Sequence, residues 1–543
     1  MFRVLTTAAM LALAQLPAPG QTPTPVRSAG EPMTDAKLAA IPSFVLPDKY
    51  KDRTRYPLPA SADNSKQPFF PPIGTWEQQG NSCANAQTVS VIYGYEAQRA
   101  LNTPSSGDSP AYTYEYAYHF LNGGDALDGG DGWMFVEAMD LLKQTGAATS
   151  ADFGGLEWGN KFNGWMSGYD KYYRAMKVRA SEYYKIDISN AAGDELVKQY
   201  LVDHGDGSPI GGNLVVQVRF QNVTRTTVNG KPVISAFQKN TPLNHAFAIC
   251  GYDNAFNGGS WLIHNTHGDG LYWVPYNLFR AGGPIATAQG TPVLFCRVRR
   301  DYAPKYTLKI TLTHNQRGNI AVMTGFAASA AATVPAVTKD YAGAFNYSGG
   351  LFPMGGRAQS STLEFGLDVT DFAPAPVGGN ARFFLHVISK GGTGRIDRVS
   401  LMDYTGAAVR EIPAAETNKT IAPNAVTTIS IPLGGSSGVP RDGTGAGRPP
   451  GPYLWGSRKD GSMRIPLPGP ASGPVILAIR DFRGSTVFAR ELDPGPAGAP
   501  AEFPWKMEDD RGGRAAPGLY FATVEPARGG KRTGAALPIR IAE

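Results

Sequence analysis

The sequence predicts an α+β region followed by two all-β regions, on the strength of three patterns. Between about residues 66 and 303, apolar positions recur at helical spacing after Cys83 and again after Trp133. The same region holds four runs rich in branched and aromatic residues, 214–220, 246–252, 260–265 and 292–298, each bounded by Gly, Pro or Asn as strands are. From about 304 to 435, and again from about 466 to 543, the apolar pattern changes to alternation of period two, the signature of half-buried strands.

The length of 543 residues suits about three or four domains, and 42% hydrophobic residues is enough for large cores. A net charge of +6 is small for this length, and no compact basic stripe with interleaved aromatics occurs, so nucleic acid is not an expected partner. Met1-Phe2-Arg3 followed by the apolar run 4–14, with small Ala12 and Ala14, reads as a secretory signal over residues 1–14. No later stretch is apolar and long enough to cross a bilayer, so the expectation is an exported protein without a transmembrane segment. Residues 15–65, rich in Pro, Ala, Thr and charge with little periodicity, read as a pro-segment or flexible lead.

Within 66–303, the turn-rich run Trp76-Glu77-Gln78-Gln79-Gly80-Asn81-Ser82-Cys83 leads into a helix whose Ala86, Val89, Tyr93, Ala97 and Ala100 share one face. Ser82 is positioned as its cap. A thiol in the first turn of a helix faces unpaired N–H groups and the positive end of the macrodipole, which predicts a lowered pKa for Cys83. A second helix is expected from Trp133 to about Lys143 and a third over 192–202. Three cysteines in an exported chain leave one unpaired: Cys250 and Cys296 either form a disulfide or are buried small hydrophobes, and Cys83 stays free for chemistry. The alternation at Leu308, Ile310 and Leu312, at Leu363, Phe365, Leu367 and Val369, and at Ile429, Ile431 and Leu433 predicts a β-sandwich over 304–435. The Gly- and Pro-rich stretch 436–465 reads as a linker, and 466–543 as a last small β unit.

Two later segments supply partners for Cys83. Asn244-His245-Ala246 through Gly251-Tyr252 sets an imidazole at the mouth of an apolar strand, and Trp261 through His264-Asn265-Thr266-His267-Gly268 ends a strand in polar side chains. A thiolate nucleophile needs an imidazole to take and return a proton, and the imidazole needs an acceptor for its other N–H. His264 and His267, spaced three apart, have no acidic or Cys cluster to complete a metal site, so neither metal nor organic cofactor is expected.

The order Cys, His about 160 residues on, then Asn twenty residues later, with these local motifs, resembles the papain-like cysteine peptidase family over about residues 70–300. The resemblance implies a two-lobed catalytic domain, a helical lobe plus a β-barrel lobe, and a protein or peptide substrate. It implies that Cys83, His245 and Asn265 are catalytic and that a glutamine completes the oxyanion hole. Gln79 is favoured because a glycine follows it; Gln78 is the alternative, since neither matches the family's usual spacing to the nucleophile. Gly129-Gly130-Asp131-Gly132-Trp133 resembles the family's Gly-Gly-x-x-Trp element, which implies that Gly129, Gly130 and Trp133 bind substrate; Asn244, opening the histidine strand, joins them. His267 stands where the family has the tryptophan that shields the asparagine, which predicts a more open His245–Asn265 hydrogen bond. The last 70 or so residues resemble the small immunoglobulin-like modules related to the flagellar hook-cap protein, implying a docking or sorting role at a cell surface.

The sequence therefore reads as a secreted cysteine endopeptidase. Two alternatives stand beside it: a weak or inactive papain-fold scaffold whose β domains bind a surface, glycan or protein, and a thiol acyltransferase of the transglutaminase type.

Overall fold

The computed structural model describes residues 35–122, 135–154, 164–357, 359–373 and 380–433, and in the C-terminal region 454–457, 463–466, 475–481, 486–492, 502–509, 512–515, 518–526 and 537–542. The proposed signal at 1–14 lies outside the described residues.

The organising element is a helix here named α1, continuous from Cys83–Asn85 through a π-helical stretch Ala86–Tyr93 to Gly94–Leu101. A single buried stripe was expected. Instead every residue from Ser82 to Gln98 is buried, so α1 is enclosed on all sides. Three of its polar side chains meet backbone partners: the Gln87 amide donates to the carbonyls of His264 and Ala246 (3.0 and 3.4 Å), Tyr93 Oη to Val178 O (2.7 Å) and Tyr95 Oη to Gly211 O (2.8 Å). Around it lie α2 (Glu115–Leu121), α3 (Phe135–Thr145) and α4 (Tyr169–Lys177), while α5 (Ala191–Asp203) packs on the far side of the sheet.

That sheet contains β1 (Ser61–Asp63), β2 (Arg179–Asp187), β3 (Leu214–Val218), β4 (Thr224–Val228), β5 (Lys231–Ala236), β6 (His245–Asp253), β7 (Ser260–Asn265), β8 (Gly270–Pro275) and β9 (Pro292–Arg299). The order is β2-β9-β3-β6-β7-β8-β5-β4, with β1 added on β6. The resemblance implied a barrel; among the described residues the hydrogen-bonded path is open at both ends. Strand β6 shows how the sheet divides two cores. Ala246, Ala248 and Cys250 face α1, where small side chains let the helix come close, and Phe247, Ile249 and Tyr252 face α5.

The stretch 35–65, expected as a flexible lead or pro-segment, is built into this sheet over its described length. Phe44 N–H donates to Lys185 O (2.9 Å), and Phe44, Leu46 and Tyr50 join the core on the α5 side. β1 then pairs with Gly251–Asp253 of β6. The approach is so close that a Cβ at Gly251 would lie 2.4 Å from Ala62 O, so only glycine admits the added strand. The proline-rich composition hid this, because the anchors are three isolated aromatic and aliphatic side chains rather than a periodic run.

The next region is a two-sheet sandwich. One sheet joins β10 (Tyr306–His314), β13 (Thr362–Asp368), β15 (Gly394–Asp403), β16 (Arg410–Pro413) and β17 (Lys419–Thr420); the other joins β11 (Ile320–Ala327), β12 (Val337–Lys339), β14 (Ala381–Ser389) and β18 (Val426–Leu433). The alternating residues Leu308, Ile310, Leu312, Leu363, Phe365, Leu367, Ile429, Ile431 and Leu433 point inward, as their period requires. The same core runs without a break into α1–α4. Trp165 packs between Phe120 and Phe345 (4.7 and 5.3 Å between centroids), and Arg179 and Asp368, both buried, form an ion pair of 2.6 Å across the join.

In the C-terminal region, β19 (Leu454–Ser457), β21 (Val475–Asp481), β22 (Thr486–Leu492), β24 (Gly518–Pro526) and β25 (Leu537–Ala542) form one sheet, and β20 (Met463–Pro466) pairs with β23 (Glu502–Trp505). β19 and all but the last residue of β20 fall inside the stretch expected as linker: β19 pairs in parallel with β25, and Ile465 is buried beside Trp505, Leu477 and Ile539.

Candidate active site

His245 is the first residue of β6 and Asn265 the last of the adjacent antiparallel β7, so the sheet brings two residues twenty positions apart to one rim. His245 Nε2 and Asn265 Oδ1 are 2.7 Å apart. The orientation of the carboxamide is fixed from its other end, where Asn265 Nδ2 donates to Asp269 Oδ1 (2.5 Å). A carboxylate only accepts, so Asn265 turns its NH₂ to Asp269 and its oxygen to His245. The imidazole therefore carries its proton on Nε2, which leaves Nδ1 as the basic nitrogen.

The expected opening of this hydrogen bond to water does not occur. His245 and Asn265 are both buried. The His267 ring stacks on His245 at 4.6 Å and 16°, and Phe220 stacks on it at 4.8 Å and 28°. Together they supply the cover that a tryptophan would give.

Cys83, buried at the start of α1, packs against this same strand. Its sulfur lies within hydrogen-bonding reach of the N–H groups of Ala84, Ala246 and Cys83 itself, and of the Gln78 side chain. Burial outweighs all four donors and pushes the thiol up to about 11. The expected lowering is thus reversed: the helix-terminal N–H groups act in the expected direction, but the loss of water is the larger effect. Burial likewise takes the imidazole of His245 down to about 3, against the Asn265 hydrogen bond that favours its charged form and with the help of the nearby His267. Both groups rest uncharged. Ser82 does not cap α1; its hydroxyl donates to Gln79 O (2.7 Å).

The two glutamines face different ways. Gln78 is buried, its N–H donating to Thr266 O (2.8 Å) and its Oε1 accepting from the Thr266 hydroxyl, which leaves its NH₂ for Gly80 O (3.3 Å) and the Cys83 sulfur. Gln79 turns its amide to Glu77 O (3.4 Å), and its backbone N–H donates to Tyr114 Oη (3.1 Å). Asn244 is exposed, and its Oδ1 accepts from Phe220 N–H (2.7 Å), which braces the ring over His245. Gly129, Gly130 and Trp133 lie outside the described residues.

Cys250 and Cys296 are free and buried, which corrects the disulfide alternative. Strand β3 runs between β6 and β9, placing the two cysteines two strand spacings apart, roughly 9.6 Å and beyond the reach of a disulfide. Among the described residues, no group of three or more His, Cys, Asp or Glu could hold a metal ion.

The sequence reading missed Asp269, Thr266 and Phe220. Asp269 carried a usable signal, an acid between two glycines four residues past Asn265. Phe220 did not, because its role depends on Asn244 holding the strand end across the rim.

No protein-family model matches the chain, and no curated protein does. Several solved structures are similar to it at low score. A digestive procathepsin L2 proteinase from the larval midgut of Tenebrio molitor shares 17% identity over 49% of this chain and 81% of its own, with a TM-score of 0.30. Procathepsin L 3 from the same source shares 13% over 44% and 70%, at 0.29. The cysteine protease and lectin-like domains of Cwp84, a surface layer associated protein of Clostridium difficile, share 10% over 72% of this chain and 98% of that one, at 0.30. At this level of likeness the chemistry has to be read from the site itself. Among the described residues no helix is long and apolar enough to cross a membrane.

Proposed function

We propose that the chain is an exported papain-like cysteine peptidase. What supports the reading is the packing of the Cys83 helix terminus on the strand that opens with His245, whose Nε2 is tied to Asn265 and whose Nδ1 is left basic. In this reading Cys83 attacks the scissile carbonyl, Nδ1 of His245 takes the thiol proton and returns it to the leaving amine, and Asn265 orients the ring. The NH₂ of Gln78, rather than that of Gln79, joins the Cys83 N–H in holding the oxyanion. Because both groups rest neutral, the proton moves as the sulfur attacks, not beforehand. The neutral pair and the thiolate–imidazolium pair hold the same single proton, so both belong to one active protonation state. The C-terminal sheets are read as a docking or sorting unit that takes no part in the chemistry.

A second reading, an idle scaffold, is favoured by one observation: both reactive groups are buried, which disfavours the charged form of each. A peptide-library digest separates the two. Wild type is expected to cleave and Cys83→Ala to lose essentially all cleavage; equal digestion by both proteins overturns the peptidase reading.

A further inference from the structure

Asp269 accepts three contacts from three elements: the Asn265 carboxamide on β7 (2.5 Å), Tyr272 Oη on β8 (2.9 Å) and the Arg225 guanidinium on β4 (3.2 Å). Arg225 also lies 5.3 Å over the Phe220 ring, which in turn stacks on His245. The β4–β5 hairpin thus reaches the imidazole by two routes, one through a ring and one through a carboxylate.

We propose that Asp269 is a positioning residue for His245, acting through the Asn265 carboxamide, with Arg225 and Tyr272 holding its carboxylate in place. The inference rests on the peptidase reading. An amide facing a neutral partner can present either end to an imidazole; facing a carboxylate it presents only its oxygen. The negative charge behind the carboxamide also polarises Oδ1 and raises the affinity of the Cys83–His245 pair for its shared proton. The charged and titratable groups around this line are His267 stacked on His245, His264 beside Asn265 and under the charge of Asp269, Cys83 against the N–H of Ala246 on the same strand, Glu77 beside Gly268, and Arg225 and Tyr272 on the carboxylate itself.

The test compares wild type, Asp269→Asn, Asp269→Glu and Arg225→Gln by the pH profile of peptide cleavage, by the pH dependence of Cys83 alkylation with iodoacetamide, and by the ¹⁵N tautomer signature of His245. Asp269→Asn is expected to lower kcat about tenfold with little change in KM, the usual scale for removing such a partner. It should also move both limbs of the profile to lower pH and populate the Nδ1–H tautomer; Asp269→Glu should restore part of each. Arg225→Gln, at a side chain 49% exposed, removes positive charge and should move both limbs the opposite way even if Asp269→Asn fails to fold. Unmoved limbs, or shifts of the same sign in the Asp269→Asn and Arg225→Gln variants, overturn the inference while leaving a peptidase in hand. If wild type shows no Cys83-dependent cleavage, it is the peptidase reading that falls. The tautomer signature still decides the role of Asp269 in that case: an unchanged Nε2–H form in Asp269→Asn overturns it.

Discussion

Gln78 and Gln79 show how much turns on one position. Gly80, at φ 56°, bends the chain just before Cys83, and the two side chains leave the loop in different directions. A glycine after Gln79 is thus the cause of the bend and no guide to which amide meets the sulfur. Removing the donor should separate them: Gln78→Ala is expected to lower kcat by roughly 10²–10³, and Gln79→Ala by less than about threefold, in steady-state assays on one peptide. The burial of the reactive pair sets the pH dependence. Protonating His245 is disfavoured, so the acid limb should lie below the imidazole's ordinary 6.5, toward the value of about 3. Deprotonating Cys83 is disfavoured too, so the alkaline limb should lie above the ordinary thiol range, toward about 11. The kcat/KM profile is therefore expected to be a broad plateau across neutral pH; limbs near 6.5 and 8.5 would contradict the burial that the site shows.

Among the elements, β6 and β7 were readable from their apolar runs, and with them the juxtaposition of His245 and Asn265, because neighbouring antiparallel strands of known ends bring fixed residues together. The segment before residue 66 was not. Its hold on the sheet comes from Phe44, which meets Tyr184, Tyr200 and Phe295 edge-on at 6.1, 6.0 and 5.1 Å, and from three residues of β1. Such contacts carry no local period. Phe44→Ala is expected to destabilise the protein by about 3 kcal/mol in denaturant unfolding, the scale of a buried aromatic lost from a core. A removable lead would register no change.

At the scale of the whole molecule, the boundary near 303 marks where the sequence pattern changes, yet the packing passes through it. The inward side chains of the sandwich were visible as alternation, but what they meet was not: Trp165, Tyr172 and Arg179 come from α4 and its flanks and find Phe345, Phe365 and Asp368 far along the chain. Composition likewise suggested a tether at 436–465, where two short strands in fact close the last sheets, since Leu454–Ser457 and Met463–Pro466 draw their stability from distant partners. The three unpaired cysteines have a practical corollary. With no crosslink for a reductant to open, millimolar dithiothreitol should leave the melting temperature unmoved while guarding the Cys83 sulfur from oxidation, so the fold and its reactive atom tolerate the same redox conditions.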